Sequence, residues 1–149
     1  MRRALAVLLT APLLLAGCGE PSAEEVRTDY CETVAEQQRA LSDRLADRSP
    51  TALLDAQPIF RDLAAEAPSD IADDWDVLLD AIDGLDQALA DAGVDPASYD
   101  PAKPPSDLTE EQRDTIERAA AELLNPRTEE AVAAVDQQAR DVCGTPLFQ

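Results

Sequence analysis

Carboxylates and three cysteines are the side chains of this 149-residue chain that could do chemistry, because it contains no histidine. Without histidine, no Ser-His or Cys-His nucleophile can form, and the commonest transition-metal ligand is missing. The glycines give no phosphate-binding loop, and no acidic run has calcium-loop spacing. Catalysis by paired carboxylates needs one of them desolvated in a pocket, whereas these acids fall on polar helix faces. We therefore expect no catalytic residues, no cofactor, no metal centre and no enzymatic activity.

The most unusual charge feature is a stretch from Pro68 to Pro96 with nine aspartates and no lysine or arginine. Four of these aspartates step by three, four and three, which places them on one face of a helix: Asp73, Asp76, Asp80 and Asp83. This pattern predicts a weak divalent-cation surface or a docking face for a basic partner. The alternative is a solvated face that arginines of neighbouring helices partly neutralise. The candidate arginines are Arg27, Arg39, Arg44, Arg48 and Arg61.

Overall composition excludes one class of partner and favours one class of fold. The formal net charge is -19, from 12 basic and 31 acidic residues, and such a surface repels nucleic acid. We therefore expect no nucleic-acid partner. Hydrophobic residues make up 45% of the chain but aromatic residues only 3%, so the core must be aliphatic. That composition favours packed helices over sheets, which are enriched in aromatic and β-branched residues.

The first 18 residues have the pattern of an export signal. Met1-Arg-Arg is a basic start, and the apolar segment 4–16 is shorter than the roughly 20 residues that span a bilayer. The four residues at its end, Leu15, Ala16, Gly17 and Cys18, resemble the bacterial lipobox. This resemblance implies diacylglyceryl transfer to the Cys18 thiol and cleavage before Cys18. A buried core thiol is the alternative, although Gly17 and Gly19 would break the helix that it requires.

A lipid on Cys18 would leave Cys31 and Cys143, an even number of cysteines in an exported chain. Exported proteins meet an oxidising compartment, where thiols that lie close together form disulfides. We therefore predict a Cys31–Cys143 bridge between the first mature helix and the last, with two free buried thiols as the alternative.

Helix signals divide the remaining chain into four or five helices. Capping boxes start helices at Ser22 and Thr109, and Asn125-Pro126 starts the last one. The first helix is predicted to run to about Arg48, and Ser49-Pro50 to begin the second. Because Pro58 lies inside the second helix, we expect a kink or two short helices near Gln57. The third helix has an apolar seam of steps of four and three, made of Ile71, Trp75, Leu78, Ile82, Leu85 and Leu89. Leu124 and Val142 are assigned to the apolar faces of the last two helices.

These signals predict an all-α bundle of up-down-like order in one domain over residues 22–149. Residues 1–17 would be the lipoprotein signal peptide, and residues 18–21 a short tether attached to lipid. Gly93 ends the third helix, and residues 93–107 form a proline-rich connector that holds Lys103 and Tyr99. Loop aromatics often bind partners, so Tyr99 is a candidate contact, although it could equally cover apolar side chains of its own bundle.

Several short segments together resemble a group of small exported lipoproteins of actinobacteria that have no assigned activity. The segments are the lipobox, "DYCETV", "APSDIADDW", "AGVDP", "LTEEQR" and "ARDVCGTPL". The resemblance implies a helical secreted domain with a Cys31–Cys143 pair, and it brings no catalytic residues. We expect a module lipid-anchored to the extracytoplasmic face of the bacterial cell membrane, contacting an exported protein or envelope component. The alternatives are a binding protein for a small solute or divalent cation, through the acidic helix or the connector, and, third, a carboxylate-based enzyme.

Overall fold

A computed structural model describes residues 21–46, 49 and 51–148, and in this part of the chain it contains helices and no strand. The lipobox residues Leu15, Ala16, Gly17 and Cys18 lie outside the described residues, as do Arg48 and Pro50. The helices are α1 (Ala23–Ala46), α2 (Ala52–Ala65), α3 (Ala72–Asp91), α4 (Glu110–Glu122) and α5 (Pro126–Cys143). A short 3-10 turn, Pro96–Ser98, lies in the connector between α3 and α4. The predicted all-α fold is confirmed.

Helix starts follow the capping signals of the sequence. The Ser22 backbone N–H donates to Glu25 at 2.8 Å, and the Glu25 N–H donates back to the Ser22 hydroxyl at 3.3 Å. Thr109 forms the same reciprocal box at the start of α4. Asn125 accepts the Thr128 N–H at 2.8 Å, with Pro126 in the first turn of α5. Each cap satisfies backbone donors that a helix start leaves without an intrahelical acceptor.

Helix α2 differs from the prediction at its start and at its proline. It begins at Ala52 rather than at Ser49-Pro50, with Thr51 in the cap position. The Thr51 hydroxyl donates to the Asp55 carboxylate at 2.7 Å and makes no capping bond to the backbone. Of the two alternatives predicted near Gln57, the division into two short helices is wrong, since α2 is one helix from Ala52 to Ala65 with Pro58 inside it. Pro58 lies on the exposed side, and buried residues before and after it keep both halves on the core. Those residues are Ala56, Phe60 and Leu63.

The end of α3 has the backbone geometry expected from its glycine. Gly93 has φ +70°, a conformation that costs glycine little and other residues more. Its N–H donates to Ala90 O at 2.9 Å, and the Val94 N–H donates to Leu89 O at 2.9 Å. This pair of bonds is the Schellman motif, and it brings Val94 against the apolar cluster at this end of α3.

Two hydrophobic clusters hold the helices together. The larger one contains four of the six predicted seam residues, which are buried in it among residues of α1, α2 and α5: Ile71, Trp75, Leu78 and Ile82. The smaller one joins the end of α3 to α4 through Leu89, Leu108 and Ile116. Leu89 is thus buried in this second cluster, while Leu85 is only partly buried against it. Helix α3 is central, because it contacts α2, α4 and α5, whereas α1 packs on α2 and α5.

A disulfide and a folded-back tail close the bundle where α5 ends. Cys31 and Cys143 are bonded, with 5.1 Å between their Cα atoms, which confirms the predicted bridge between the first and last helices. Beyond Gly144 the chain turns back, and Leu147 is fully buried in the larger cluster. Asp136 accepts the backbone N–H groups of Leu147 at 2.9 Å and of Phe148 at 3.2 Å. These two hydrogen bonds satisfy backbone N–H donors of the tail beside the core.

Two apolar assignments from the sequence are wrong. Leu124 is 76% exposed because it lies at the corner where α4 gives way to the cap of α5. Val142 is 42% exposed because the core-facing side of α5 is defined by Ala131, Val135 and Ala139, and Val142 falls beside that face. Single exposed apolar residues of this kind are common on protein surfaces. Among the described residues, no helix has the length and apolarity needed to cross a membrane.

Candidate functional site

The four aspartates that the helical spacing brings together form an acidic ridge on α3, which we define as Asp73, Asp76, Asp80 and Asp83. Asp73, Asp76 and Asp80 are exposed, and Asp83 is half-buried. The ridge is offset around α3 from the buried seam, as the three-four-three spacing predicts. Carboxylates in such a position keep their water and repel one another by a few tenths of a kcal/mol per pair.

The ridge is divided, because Asp83 belongs to a polar contact between α2 and α3. Arg61 forms an ion pair with Asp83 at 2.7 Å. Gln57, which is 9% exposed, also donates its side-chain N–H to Asp83. The expectation that a neighbouring arginine neutralises the ridge is therefore right for this one residue. Arg27, Arg39 and Arg44 form no ion pair within the described residues.

The remaining three ridge residues border an open cleft between α3 and the first turn of α5. The cleft measures about 380 Å³, and Arg127 and Glu130 line its α5 side. Arg127 has no carboxylate oxygen within 4.0 Å among the described residues, although several acids surround it. Sequence reasoning missed Arg127 and Glu130, because helix spacing places residues on their own helix and does not say which helix packs opposite.

A second cleft of about 190 Å³ continues the first along α3, at the corner between α4 and α5. Asp80 and Arg127 line both clefts. Gly84 lines this second cleft without a side chain, and a Cβ added there would meet no heavy atom within 4 Å. Glu122 at the end of α4 adds another carboxylate. The surface is therefore a shallow acidic channel with a small-residue floor and one arginine.

The described residues offer no ready metal centre. Within 21–46, 49 and 51–148, no three His, Cys, Asp or Glu side chains are placed to hold one ion together. Asp73, Asp76 and Asp80 lie along a helix surface rather than around a point, so they present charge and not a coordination shell. This geometry suits broad electrostatic contact better than chelation.

Tyr99, the predicted loop contact, packs against the smaller hydrophobic cluster. It is half-buried there beside Leu89, Leu108 and Ile116, at the end of the 3-10 turn. The connector around it is ordered by Asp95, which accepts the Ala97 N–H at 3.0 Å. Lys103, the only lysine of the chain, is exposed in the same connector. The tyrosine therefore closes the end of the bundle, and the connector presents the lysine to solvent.

A buried polar pair lies where α1 meets the start of α3. Tyr30 and Trp75 are 0% and 1% exposed, and neither the Tyr30 hydroxyl nor Trp75 Nε1 has a hydrogen-bond partner within the described residues. Burial raises the pKa of Tyr30 to about 12, the adjacent Trp75 indole opposes the rise, and the Asp70 carboxylate adds to it. Trp75 is thus a core residue, as the seam predicts. The pair serves packing rather than an open site.

Comparisons of the chain with protein-family models, with curated proteins and with solved structures found no match. The class that the fold defines is a disulfide-linked helical bundle with an acidic channel along one helix.

Proposed function

We propose that the protein is an exported lipoprotein, held by a lipid on Cys18 at the extracytoplasmic face of the bacterial cell membrane. Its up-down-like bundle would follow a cleaved signal peptide and act as an interaction module, not as an enzyme. The partner would be an exported protein or an envelope component that contacts the acidic channel of α3.

The observation that carries the anchor is the pairing of the cysteines. Cys31 and Cys143 are bonded to each other, so Cys18 is the remaining one of three cysteines, and it lies within the lipobox-like segment. Two or more acyl chains, at about 0.8 kcal/mol per buried methylene, give stable membrane attachment.

Lipidation is tested by expressing the full chain in a bacterium that makes lipoproteins and labelling its lipids with an alkyne fatty acid. Label should appear on the wild-type protein and be lost in Cys18→Ser. The matched control is the double variant Cys31→Ser with Cys143→Ser, which should keep the label in the membrane fraction. Label that persists in Cys18→Ser would contradict the anchor.

The exposed part of the ridge supports the interaction role. Asp73, Asp76 and Asp80 are free of ion pairs in the described structure, and Arg127 is the one cation beside them. Such a surface attracts a basic partner, and the attraction falls as salt screens it. The small-residue floor at Gly84 gives a partner side chain room to approach the helix.

Cross-linking in intact cells tests the surface. The triple variant Asp73→Asn, Asp76→Asn and Asp80→Asn should lose a stoichiometric cross-linked partner that the wild type captures. A control with three acids of α4 neutralised, Glu110→Gln, Glu111→Gln and Asp114→Asn, should keep it, because it changes the net charge equally. Equal loss in both variants would show that total charge, and not the α3 channel, attracts the partner.

A further inference from the structure

We infer that the bundle stands end-on at the membrane, with the start of α1 towards the lipid surface and the 93–107 connector away from it. The inference rests on the proposed lipid on Cys18. It adds an orientation, and thereby names the end of the bundle that faces the lipid and the end that points away from it.

Chain reach sets how far the bundle can move from its anchor. Four peptide links join Cys18 to Ser22, and at about 3.5 Å per residue they span at most about 14 Å. Ser22 already belongs to the rigid part, because its hydroxyl donates to Glu25 at 2.7 Å and its backbone caps α1. The start of α1 therefore stays within about one headgroup layer of the lipid.

Other contacts show which elements share this near end. Cys31 in the third turn of α1 is bonded to Cys143, so the end of α5 lies there. Tyr30 lies beside Trp75, and Asp70 is close enough to affect its titration, so the start of α3 lies there too. The disulfide and these buried contacts join α1, α3 and α5 at the end nearest the tether.

The opposite end carries the connector. Arg44, near the end of α1, donates to the carbonyl of Asp55 in the first turn of α2 at 3.3 Å, so α2 runs back towards the near end. Helix α3 then runs out again, and Leu89 at its far end packs with Leu108 of the connector region. From Trp75 to Leu89, fourteen residues at about 1.5 Å each place this cluster about 21 Å further from the membrane.

Repulsion between the acidic ridge of α3 and anionic headgroups also favours the end-on orientation. If the bundle lay flat with α3 against the membrane, the acidic ridge would come within a Debye length of the anionic headgroups, which is about 8 Å at physiological salt. Standing end-on keeps Asp80 and Asp83 beyond that range. Exposed acids also occur at the near end, among them Glu24 and Glu25, so the tether and not attraction holds this end at the surface.

Site-specific quenching tests the orientation in the full lipidated chain. With Cys18 acylated and Cys31 bonded to Cys143, one introduced cysteine is the only free thiol for a fluorophore. The near-end variants are Thr28→Cys and Ser69→Cys, and the far-end variants are Ala97→Cys and Ala102→Cys, all at exposed positions. Two sites at each end protect the test against a variant that does not fold. Circular dichroism checks the helix content of each.

The labelled proteins are placed in phosphatidylcholine vesicles that contain phosphatidylglycerol and a lipid with a nitroxide headgroup, which quenches only nearby fluorophores. We expect loss of most fluorescence at the near-end sites and no loss at the far-end sites. Vesicle binding with equal quenching at both ends would overturn the orientation and leave the anchor intact. Protein that does not bind vesicles, with Cys18→Ser behaving like wild type, would overturn the anchor and the orientation together.

Discussion

Removing the Cys31–Cys143 bridge should cost a large part of the folding free energy. The bonded residues are 112 positions apart, and for a loop of this size the chain-entropy model gives a stabilisation of about 4.8 kcal/mol at 25 °C. Measured values are commonly smaller, so we expect a loss of about 2 to 5 kcal/mol. Domains of this size are typically stable by about 5 to 15 kcal/mol, so the bridge would account for a substantial share.

Urea unfolding followed by tryptophan fluorescence measures this loss. Trp75 is the only tryptophan and is 1% exposed beside Phe60, at 6.3 Å between ring centroids, so its emission reports the core. A Cys18→Ser background keeps every sample free of lipid. Two forms are compared with the oxidised chain: the same chain reduced with dithiothreitol, and the double variant Cys31→Ala with Cys143→Ala.

The two cross-link-free forms should agree, because both free the unfolded chain, and the slope against urea should rise as that chain exposes more surface. A loss below about 1 kcal/mol in both forms would refute the reasoning, because it would mean that the bridge barely restricts the unfolded state. Disagreement between them would assign the difference to side-chain packing at the two cysteine positions.

Three further predictions concern the core, the tail and the glycines. Because the pKa of Tyr30 is raised to about 12, the folded protein keeps that hydroxyl proton while the unfolded chain loses it near pH 10. Stability present below pH 10 should fall by about 2 to 3 kcal/mol between pH 10 and 12, and Tyr30→Phe should remove that fall in pH-dependent urea unfolding. Leu147→Ala should cost about 2 to 5 kcal/mol by the same unfolding assay, whereas Leu124→Ala, at a 76% exposed position, should change stability by less than about 0.5 kcal/mol. An equal loss of stability in Leu147→Ala and Leu124→Ala would contradict the burial of Leu147 in the core. Gly84→Ala should raise stability by about 0.4 to 1 kcal/mol, since its Cβ meets nothing, and Gly93→Ala at φ +70° should lower it by about 1 kcal/mol; a thermal melt that orders them oppositely would refute this.

Features that depend only on residues within one helix, such as caps and helix ends, could be predicted from the sequence. The capping boxes at Ser22 and Thr109, the cap at Asn125 and the stop at Gly93 depend on bonds between residues a few positions apart. Their chemistry is complete in the local sequence. The same holds for the seam of α3, because an apolar stripe at helical spacing must be buried against something. The cysteine pair was also predictable, because the expectation of a lipid on Cys18 leaves Cys31 and Cys143 with only each other as partners.

Features that depend on which helix packs opposite could not be read in this way. Leu147 follows Gly144, where the helix pattern stops, and its burial depends on Asp136, eleven residues earlier, accepting its N–H. Leu124 looks like part of an apolar face, but the turn that Asn125 imposes points it to solvent. Pro58 looks like a helix break, yet packing on both sides of it keeps α2 continuous. In each case tertiary contacts decide what local preference leaves open.

The acidic ridge shows why this distinction matters for function. Helical spacing makes its four aspartates equivalent, since it describes only their angle around the axis of α3. Packing makes them different: α2 approaches one side and supplies Arg61 and Gln57 to Asp83, while α5 approaches the other and leaves an open cleft. Asp83 therefore belongs to the contact between helices, and the proposed partner would meet only the carboxylates at positions 73, 76 and 80. Since the smaller set lies nearer the start of α3, the charge offered to a partner is concentrated towards the half of the bundle that the tether would hold at the membrane.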